Sequence, residues 1–202
     1  MTSDPSHPPL VIVLTGPSGV GKDALVDRLV EVGVPAERPA TMTTRAPRAG
    51  ELEGVHHYFV DRPEFQRNLD AGELLENAEV YGNLYGVPRK SVRAALASGR
   101  HVVIRVDVQG AESLRAVLPG ALFVSLEPES IEVLRAHLVA RATEPDDVIA
   151  RRLAIAADEI ERARAFCVPI TNVEGNLDAT VTAVRNLLAL EQGRPGREMV
   201  AV

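Results

Sequence analysis

The stretch GPSGVGK, at residues 16–22, limits the possible folds of this chain more than any other part of the sequence. It follows LVIVLTG, an apolar and largely β-branched run, and precedes KDALVDRLVEVG, where apolar residues recur near helical spacing before Gly33. The stretch thus joins a buried strand, of the kind found in parallel sheets, to a helix. Its pattern, G-x-x-x-x-G-K, is typical of loops that hold phosphate groups. The sequence therefore predicts a phosphate-binding loop within an α/β domain.

The chemistry of a phosphate site accounts for each part of this loop. Glycines let several backbone N–H groups converge on phosphate oxygens without a clash from a Cβ atom. The following helix points its positive end at the anion, and Lys22 reaches the β- and γ-phosphates. We therefore expect ATP to be held by Gly16, Pro17, Ser18, Gly19, Val20, Gly21, Lys22, Asp23 and Ala24. The alternative is a Gly-rich strand-to-helix turn that binds nothing.

Asp23 stands where such loops normally carry a Ser or Thr whose hydroxyl binds Mg²⁺. A carboxylate is also a hard oxygen ligand, so Asp23 can hold Mg²⁺ directly or through water. Without a nearby cation it would repel phosphate. The alternative is a carboxylate that only stabilises the start of the helix through the helix dipole. The sequence leaves both interpretations open.

The rest of the chain alternates strands with helices. HVVIRVDV at residues 101–108, ALFVSLEP at residues 121–128 and the short CVPITN are strand candidates, and long helical patterns lie between and after them. This alternation predicts an α/β domain with a mainly parallel sheet. Residues 41–90 interrupt it with short alternating segments, glycines and prolines. We expect them to form an inserted, partly antiparallel region over the carboxyl edge of the sheet, where ligands of α/β proteins bind.

Composition excludes several classes of function. A net charge of −6 argues against non-specific binding to nucleic acid, so any anionic ligand must be held by local basic clusters. The single cysteine, Cys167, excludes an internal disulfide framework and a Cys-rich zinc site, and it is consistent with the cytoplasm. No apolar run approaches the ~20 residues of a membrane helix, and residues 1–9 do not resemble a signal peptide.

The insert carries clustered polar residues that suit a small phosphorylated ligand. Arg45 and Arg48 lie three residues apart in a Thr-rich segment, and paired arginines can bind one phosphate group. Glu76 lies in an apolar context and Tyr85 lies among glycines, which suits a base or a hydroxyl-rich ligand. Taken alone these features are weak, because most arginines are solvated and most tyrosines serve packing.

Over about residues 10–190 the sequence resembles guanylate kinase, a nucleoside monophosphate kinase. The resemblance lies in GPSGVGK, TTRAPRAGELEGVHHYFV, ELLENAEVYGNLYG, VDVQGAESLR and ARATEPDDVIARRL, which follow the order of the family. It implies a P-loop NTPase-type parallel sheet flanked by helices, with a small inserted mixed α/β acceptor-binding region and a helical lid. It also implies transfer of the γ-phosphoryl group of ATP to GMP, with Mg²⁺. The expected partners are small molecules rather than nucleic acid or membrane, and the protein is expected to be a monomer or a homodimer.

The resemblance assigns boundaries to one domain at residues 10–190. The core covers residues 10–40 and 98–190, the insert about 41–90 and the lid about 135–155, and residues 1–9 and 191–202 are expected to be flexible tails.

The same resemblance implies roles for individual residues. Glu76 would accept hydrogen bonds from guanine N1–H and N2–H, Asp107 would lie near the acceptor or its metal, and Asn172 would lie beside the ATP base. Arg141 and Arg152 would be lid arginines that neutralise the transferring phosphoryl group, as catalytic partners of Lys22 and Arg45. The acceptor phosphate would be bound by Thr41, Arg45, Arg48, His57 and Tyr85.

The sequence departs from the family at several of these positions. His57 replaces a tyrosine, and Val87 replaces a Ser or Thr whose hydroxyl contacts guanine. Arg105 replaces the first aspartate of a D-x-D pair, next to the unusual Asp23 at the same sheet edge, so we expect the two side chains to form a compensating ion pair. Two alternatives stay open: a kinase for ribose 1,5-bisphosphate or another phosphorylated sugar, and a non-catalytic binding module with this fold.

Overall fold

The computed structural model describes residues 8–80, 82–141, 146–197 and 200–202, and the side chains of residues 140–147 lie outside this description. The strands are β1 (Val11–Thr15), β2 (Ala36–Glu37), β3 (Thr41–Thr43), β4 (His57–Phe59), β5 (Leu74–Val80), β6 (Asn83–Pro88), β7 (His101–Arg105), β8 (Leu122–Pro128) and β9 (Val168–Asn172). The helices are α1 (Lys22–Glu31), α2 (Arg62–Asp70), α3 (Arg89–Ala97), α4 (Val108–Val117), α5 (Ile131–Arg141), α6 (Asp146–Arg164) and α7 (Leu177–Gln192).

Five strands form the central sheet in the order β2-β7-β1-β8-β9, and every neighbouring pair is parallel. All five residues of β1 are buried, because helices cover both faces of the sheet. Leu14 of β1 lies opposite Arg105 of β7, so the phosphate loop after β1 and the end of β7 meet at one edge. The predicted P-loop NTPase-type parallel sheet is confirmed.

The insert forms a second sheet of four strands in the order β4-β3-β6-β5. Strand β3 pairs parallel to β4 and antiparallel to β6, and β6 pairs antiparallel to β5. A small apolar cluster of Met42, Phe65 and Leu74 packs α2 against this sheet. The predicted mixed α/β insert is thus present. Its residues Thr41, Glu76 and Tyr85 line one cavity together with Arg105 and Asp107 at the edge of the central sheet.

The core divides between the two faces of the central sheet. On one face Ile12 and Leu14 pack with Leu25, Leu29 and other residues of α1 and α7. On the other face Val11 and Val13 pack with α3 and α4. The β1 side chains alternate between these clusters because successive residues of a strand point to opposite faces. Aliphatic side chains fill both clusters, and the phosphate loop lies at their common edge.

Strand β7 is shorter than the predicted strand at residues 101–108. It ends at Arg105, because Asp107 begins helix α4: its carboxylate accepts a hydrogen bond of 2.8 Å from the backbone N–H of Gly110. An Asp at this N-cap position satisfies an otherwise unpaired helix donor. The cap therefore fixes the Asp107 side chain immediately beyond the sheet edge.

The carboxyl end of the chain packs against the core. Helix α7 continues to Gln192, two residues past the predicted domain limit, and Val200 and Val202 lie against the apolar cluster under α3 and α4. Arg93 Nε donates a 2.7 Å hydrogen bond to the carbonyl oxygen of Val202. The expected flexibility of residues 191–202 stays a prediction, and most of the expected amino-terminal tail lies outside the described residues. Within the described parts of the chain, no helix has the length and apolar character needed to cross a membrane.

Candidate active site

The phosphate loop has a backbone shape that only glycine allows at its first position. Gly16 has a φ of 139°, and a Cβ atom there would lie 2.2 Å from the carbonyl oxygen of Leu126 on β8. Any side chain would therefore push the loop off the sheet. Gly21, which ends the loop, precedes helix α1 without a side-chain cap, so the first N–H groups of the helix face outward. This is the arrangement that binds phosphate oxygens.

Lys22 folds back over the loop in this structure. Its Nζ donates to the carbonyl oxygens of Gly16 at 2.5 Å and Pro17 at 3.2 Å. Burial lowers the pKa of Lys22, and the nearby carboxylate of Glu159 acts in the opposite direction. The ammonium group is thus held over the loop by backbone oxygens that a bound phosphate would outcompete by charge.

Two predicted residues on other elements contact the loop. Arg152 of α6 donates from Nη2 to Ser18 Oγ at 3.2 Å. Asn172, at the end of β9, donates from Nδ2 to the carbonyl oxygen of Val20 at 2.8 Å, and its Oδ1 accepts from Thr180 at 3.1 Å. Asn172 therefore braces the loop, while its expected place beside the ATP base stays a prediction. The backbone of Arg141 ends α5, and its side chain lies outside the described residues.

Asp23 and Arg105 form the predicted ion pair. Asp23 Oδ1 accepts from Nη1 of Arg105, and it also accepts from Nη1 of Arg38 at 3.2 Å. Arg38, which the sequence patterns did not single out, is further paired with Asp27. Two guanidinium groups thus offset the negative charge of Asp23 at the start of α1. Its expected binding of Mg²⁺ stays a prediction.

Arg45 is fixed by a carboxylate that sequence reasoning missed. Glu51 accepts from Nη2 of Arg45 at 2.8 Å and from Nη1 at 3.1 Å, and it also accepts from the backbone N–H of Arg48 at 2.7 Å. The Arg45 guanidinium holds the pKa of Glu51 at about 2. Arg45 Nε donates to the Tyr85 hydroxyl at 3.2 Å. The loop between β3 and β4 is therefore folded around one ion pair, and the Arg48 side chain is exposed beside it.

Thr41 and His57 meet on the paired strands β3 and β4. Thr41 Oγ1 and His57 Nδ1 lie 2.7 Å apart, and His57 Nε2 lies 3.9 Å from Glu51. Burial lowers the pKa of His57, which favours the neutral imidazole. His57 therefore links the expected phosphate-binding residues into one polar cluster.

Glu76 occupies a different part of the site, against helix α4. Burial, with the charge of Asp107 as a smaller cause, raises the pKa of Glu76 to about 7. A Cβ atom on Gly110 would lie 3.2 Å from Glu76 Oε1, so the small residue lets the carboxyl group approach the first turn of α4. None of the side chains that the structure describes forms an ion pair with Glu76, and a desolvated carboxylate of this kind is suited to accept hydrogen bonds from a ligand.

One cavity of about 590 Å³ joins these groups. The phosphate loop contributes Lys22, the insert contributes Glu76 and Tyr85, and the sheet edge contributes Arg105 and Asp107. Val87 lines the same cavity with an apolar side chain that is only 3% exposed. Its volume is in the range of small-molecule sites. Groups that suit a triphosphate and groups that suit a second ligand therefore face a common space.

Glu159 of α6 is a further residue that the sequence patterns did not identify. It lines the 590 Å³ cavity and also a neighbouring cavity of about 400 Å³, which Ser18, Leu138 and Arg152 line as well. Burial raises the pKa of Glu159, and Lys22 opposes that shift. In the sequence Glu159 stands between Asp158 and Ile160 and two residues before Glu161, so local spacing does not separate it from solvated carboxylates.

Known proteins share this architecture and sequence. The family model for guanylate kinase matches residues 9–191. A guanylate kinase of Synechococcus elongatus is 43% identical over 176 residues, which cover 86% of this chain and 94% of that protein. A guanylate kinase of Corynebacterium diphtheriae is 42% identical over 180 residues, covering 88% and 93%.

A solved structure agrees with the sequence matches. The crystal structure of guanylate kinase from Anaplasma phagocytophilum superposes with a TM-score of 0.70 at 32% identity, covering 97% of this chain and 92% of that chain. The match extends over the phosphate loop, the insert and the central sheet rather than over the phosphate loop alone. The chain therefore belongs to the guanylate kinase family of nucleoside monophosphate kinases.

Proposed function

We propose that this protein transfers the γ-phosphoryl group of ATP to GMP, giving GDP and ADP. The observation that carries the proposal is the single cavity of about 590 Å³ that Lys22 of the phosphate loop and Glu76 of the insert both line. A kinase needs its donor and acceptor sites to open into one space, because the two oxygens must lie in line on the transferring phosphorus.

The phosphate loop supplies the donor site. Backbone N–H groups between Gly16 and Gly21 and at the start of α1 surround the phosphates, and Lys22 exchanges its backbone partners for β- and γ-phosphate oxygens. Arg152, already at Ser18, adds positive charge on the lid side, and we expect Arg141 to do the same. These groups stabilise the charge that develops during transfer.

The insert supplies the acceptor site. The Arg45 guanidinium, pre-positioned by Glu51, and the Tyr85 hydroxyl bind the phosphate of GMP together with Thr41, Arg48 and His57. Glu76 accepts hydrogen bonds from N1–H and N2–H of guanine, a pair of donors that adenine does not offer on that edge. The acceptor phosphate oxygen is then the nucleophile, so no protein side chain forms a covalent intermediate.

Mg²⁺ fits the residues at this edge of the sheet. It is usually held by one or two carboxylates together with substrate phosphates rather than by a full protein cage. Among the described residues no group of three metal-ligating side chains occurs, whereas Asp23 and Asp107 both lie next to the loop. We infer that one of them, directly or through water, holds the ion, which supplies neutralisation of the phosphate charge when bound.

A coupled assay of ADP release tests the proposal. ATP is supplied with GMP, dGMP, AMP, UMP, CMP or ribose 1,5-bisphosphate, and GMP is expected to give the highest kcat/KM. Preference for ribose 1,5-bisphosphate with GMP inert would replace the acceptor assignment. No ADP release with any member of the panel, alongside measurable nucleotide binding, would indicate a binding module. We also expect a cytoplasmic protein that acts as a monomer or homodimer, and sedimentation of the purified chain would check the oligomeric state.

A further inference from the structure

In the candidate acceptor cavity, Glu76 is matched to the donor side of guanine, whereas the hydroxyl of Thr41 is engaged with His57 and that of Tyr85 with Arg45. Glu76 suits the donors N1–H and N2–H. The neighbouring edge of the base carries two acceptors, O6 and N7, and a site that selects guanine needs donors there. On strand β6, Gly86 and Val87 offer no side-chain donor there, and the hydroxyl of Tyr85 belongs to the cluster expected to bind the acceptor phosphate.

Arg105 is the cation placed to fill this gap. It lines the 590 Å³ cavity together with Glu76 and Val87, and with Val87 it also lines an adjoining cavity of about 240 Å³. Its side chain is 34% exposed, so one part of it lines the cavity while another part faces solvent. The other cation that lines the larger cavity, Lys22, is engaged over the phosphate loop.

The ion pair with Asp23 leaves most of the Arg105 guanidinium unused. Only Nη1 donates to Asp23, and within the described parts of the chain neither Nη2 nor Nε has a hydrogen-bond partner. The same oxygen of Asp23, Oδ1, also accepts a hydrogen bond from Arg38. The guanidinium is thus anchored at one nitrogen while its remaining N–H groups are available to a ligand, which reduces the rotamer freedom lost on binding.

We infer that Arg105 is a specificity-determining residue that donates hydrogen bonds to O6 and N7 of the guanine acceptor, with Asp23 as its positioning residue. Arginine binds this pair of acceptors in bidentate geometry, which is the commonest specific contact to guanine in nucleic-acid complexes. Glu76 and Arg105 then contact adjacent edges of one base. The inference rests on the proposed function, since it takes GMP as the acceptor.

The test removes N7 of the guanine base and the N–H groups of Arg105, first separately and then together. GMP and 7-deaza-GMP, which has a carbon in place of N7, are bound by calorimetry to the wild type and to Arg105→Met, which keeps the stem and loses the N–H groups. We expect the wild type to bind GMP at least about tenfold more tightly than 7-deaza-GMP, as for a hydrogen bond from a charged donor. In Arg105→Met the two ligands should bind equally.

The matched control is Arg38→Met. Arg38 also pairs with Asp23 but does not line the 590 Å³ cavity, so this variant should keep the preference for GMP over 7-deaza-GMP. Arg105→Leu, which removes the N–H groups with a shorter apolar side chain, should also lose the N7 discrimination. If thermal unfolding shows that Arg105→Met does not fold, the affinities for GMP and 7-deaza-GMP are compared in this second variant instead.

The possible results distinguish the role of Arg105 from the identity of the acceptor. Persistence of the N7 preference in Arg105→Met and Arg105→Leu would overturn the role of Arg105 while leaving GMP as the acceptor. An equal loss of affinity for both ligands with the preference intact would indicate a charge effect on the phosphate and would also overturn it. A wild type that binds no GMP would remove the proposed function and this inference together.

Discussion

Asp23 and Arg105 lie 82 residues apart in the chain and form an ion pair across the edge of the central sheet. The carboxylate belongs to the first turn of α1, immediately after the lysine of the phosphate loop. A negative charge at this position opposes phosphate binding, and the guanidinium offsets it. The pair therefore couples a residue of the donor site to a residue that lines the acceptor cavity.

This pairing predicts a non-additive effect on ATP affinity. Arg105→Met leaves Asp23 less compensated beside the phosphates and should weaken ATP binding about fivefold, which corresponds to roughly 1 kcal/mol, the upper end for an exposed ion pair. Adding Asp23→Asn should recover most of that loss, as a double-mutant cycle by calorimetry would measure. Arg28→Met is the control, because Arg28 pairs with Asp178 at the other end of α1 and should leave ATP affinity unchanged. Additive effects of the two substitutions would contradict the pairing.

Lys22 is expected to be essential for transfer but not for folding. Lys22→Ala removes the side chain that stabilises charge on the transferring group, so kcat should fall by at least about 100-fold. Its ammonium group donates two hydrogen bonds to loop carbonyl oxygens, which solvent can replace in the variant, so the thermal midpoint should change little. Turnover at the wild-type rate would remove this lysine from the mechanism.

Glu76 should make GMP binding depend on pH near neutrality. Its pKa is raised to about 7, and only the deprotonated carboxylate accepts two hydrogen bonds from guanine. Below that pKa, GMP affinity should therefore fall as the pH falls, approaching a tenfold loss for each pH unit, as expected for one linked proton. Above about pH 8 the affinity should no longer depend on pH. Glu76→Gln should bind GMP weakly at every pH. A flat affinity profile for the wild type from about pH 6 to 8 would contradict this assignment.

The raised pKa of Glu76 also predicts how the stability of the fold depends on pH, and this dependence runs in the opposite direction to that of GMP affinity. The pKa of Glu76 is raised from 4.5 in the unfolded chain to about 7, so between these values the folded protein holds a proton that the unfolded chain has released. The free energy of unfolding should consequently fall as pH rises through this window. Glu76→Gln should raise it at about pH 8 by about 1–2 kcal/mol, after allowance for partial solvation, and leave it nearly unchanged at about pH 4. Urea unfolding at the two pH values measures the difference.

Gly16 should be far less tolerant of substitution than a glycine elsewhere with a positive φ. Gly16→Ala places a Cβ atom against the Leu126 carbonyl oxygen and should lower the free energy of unfolding by about 2–4 kcal/mol. Gly33 has a φ of 87°, and a Cβ atom there would have no neighbour within 4 Å, so Gly33→Ala should cost only about 1 kcal/mol. Thermal unfolding of both variants compares them. Equal losses would mean that backbone strain alone, and not contact with β8, requires Gly16.

Glu51 should act on GMP through Arg45. Glu51→Gln keeps the size of the side chain but weakens its bidentate contact, so Arg45 becomes less fixed and the KM for GMP should rise about tenfold, the effect of a charge-assisted hydrogen bond. The KM for ATP should not change. Glu53→Gln is the control, since Glu53 lies two residues away and accepts from the backbone of Phe59 instead. An equal rise in both KM values would point to general loosening of the fold.

The sequence predicted the central fold and missed parts of the site for a physical reason. The buried strand, the Gly-rich loop and the first helix leave strong local patterns, because their periodicity and glycines are needed by the backbone itself. The contact between Asp23 and Arg105 was also predictable, since carboxyl ends of neighbouring parallel strands share an edge. Glu51 and Arg38 left no such pattern. Glu51 lies in the loop between β3 and β4, and Arg38 directly follows the two-residue strand β2. Their contacts with Arg45 and Asp23 depend on how these segments fold in three dimensions, which local sequence spacing does not reveal.

Strand β9, which carries Asn172, is an edge strand of the central sheet, and its side-chain amide joins the phosphate loop to α7. Edge elements open more readily than central ones in the native state. Each opening of the end of β9 removes the brace from the loop, so a ligand that needs the formed loop also favours the closed strand. Nucleotide binding should therefore slow hydrogen exchange of the β9 amides by the same factor by which the ligand stabilises the closed form.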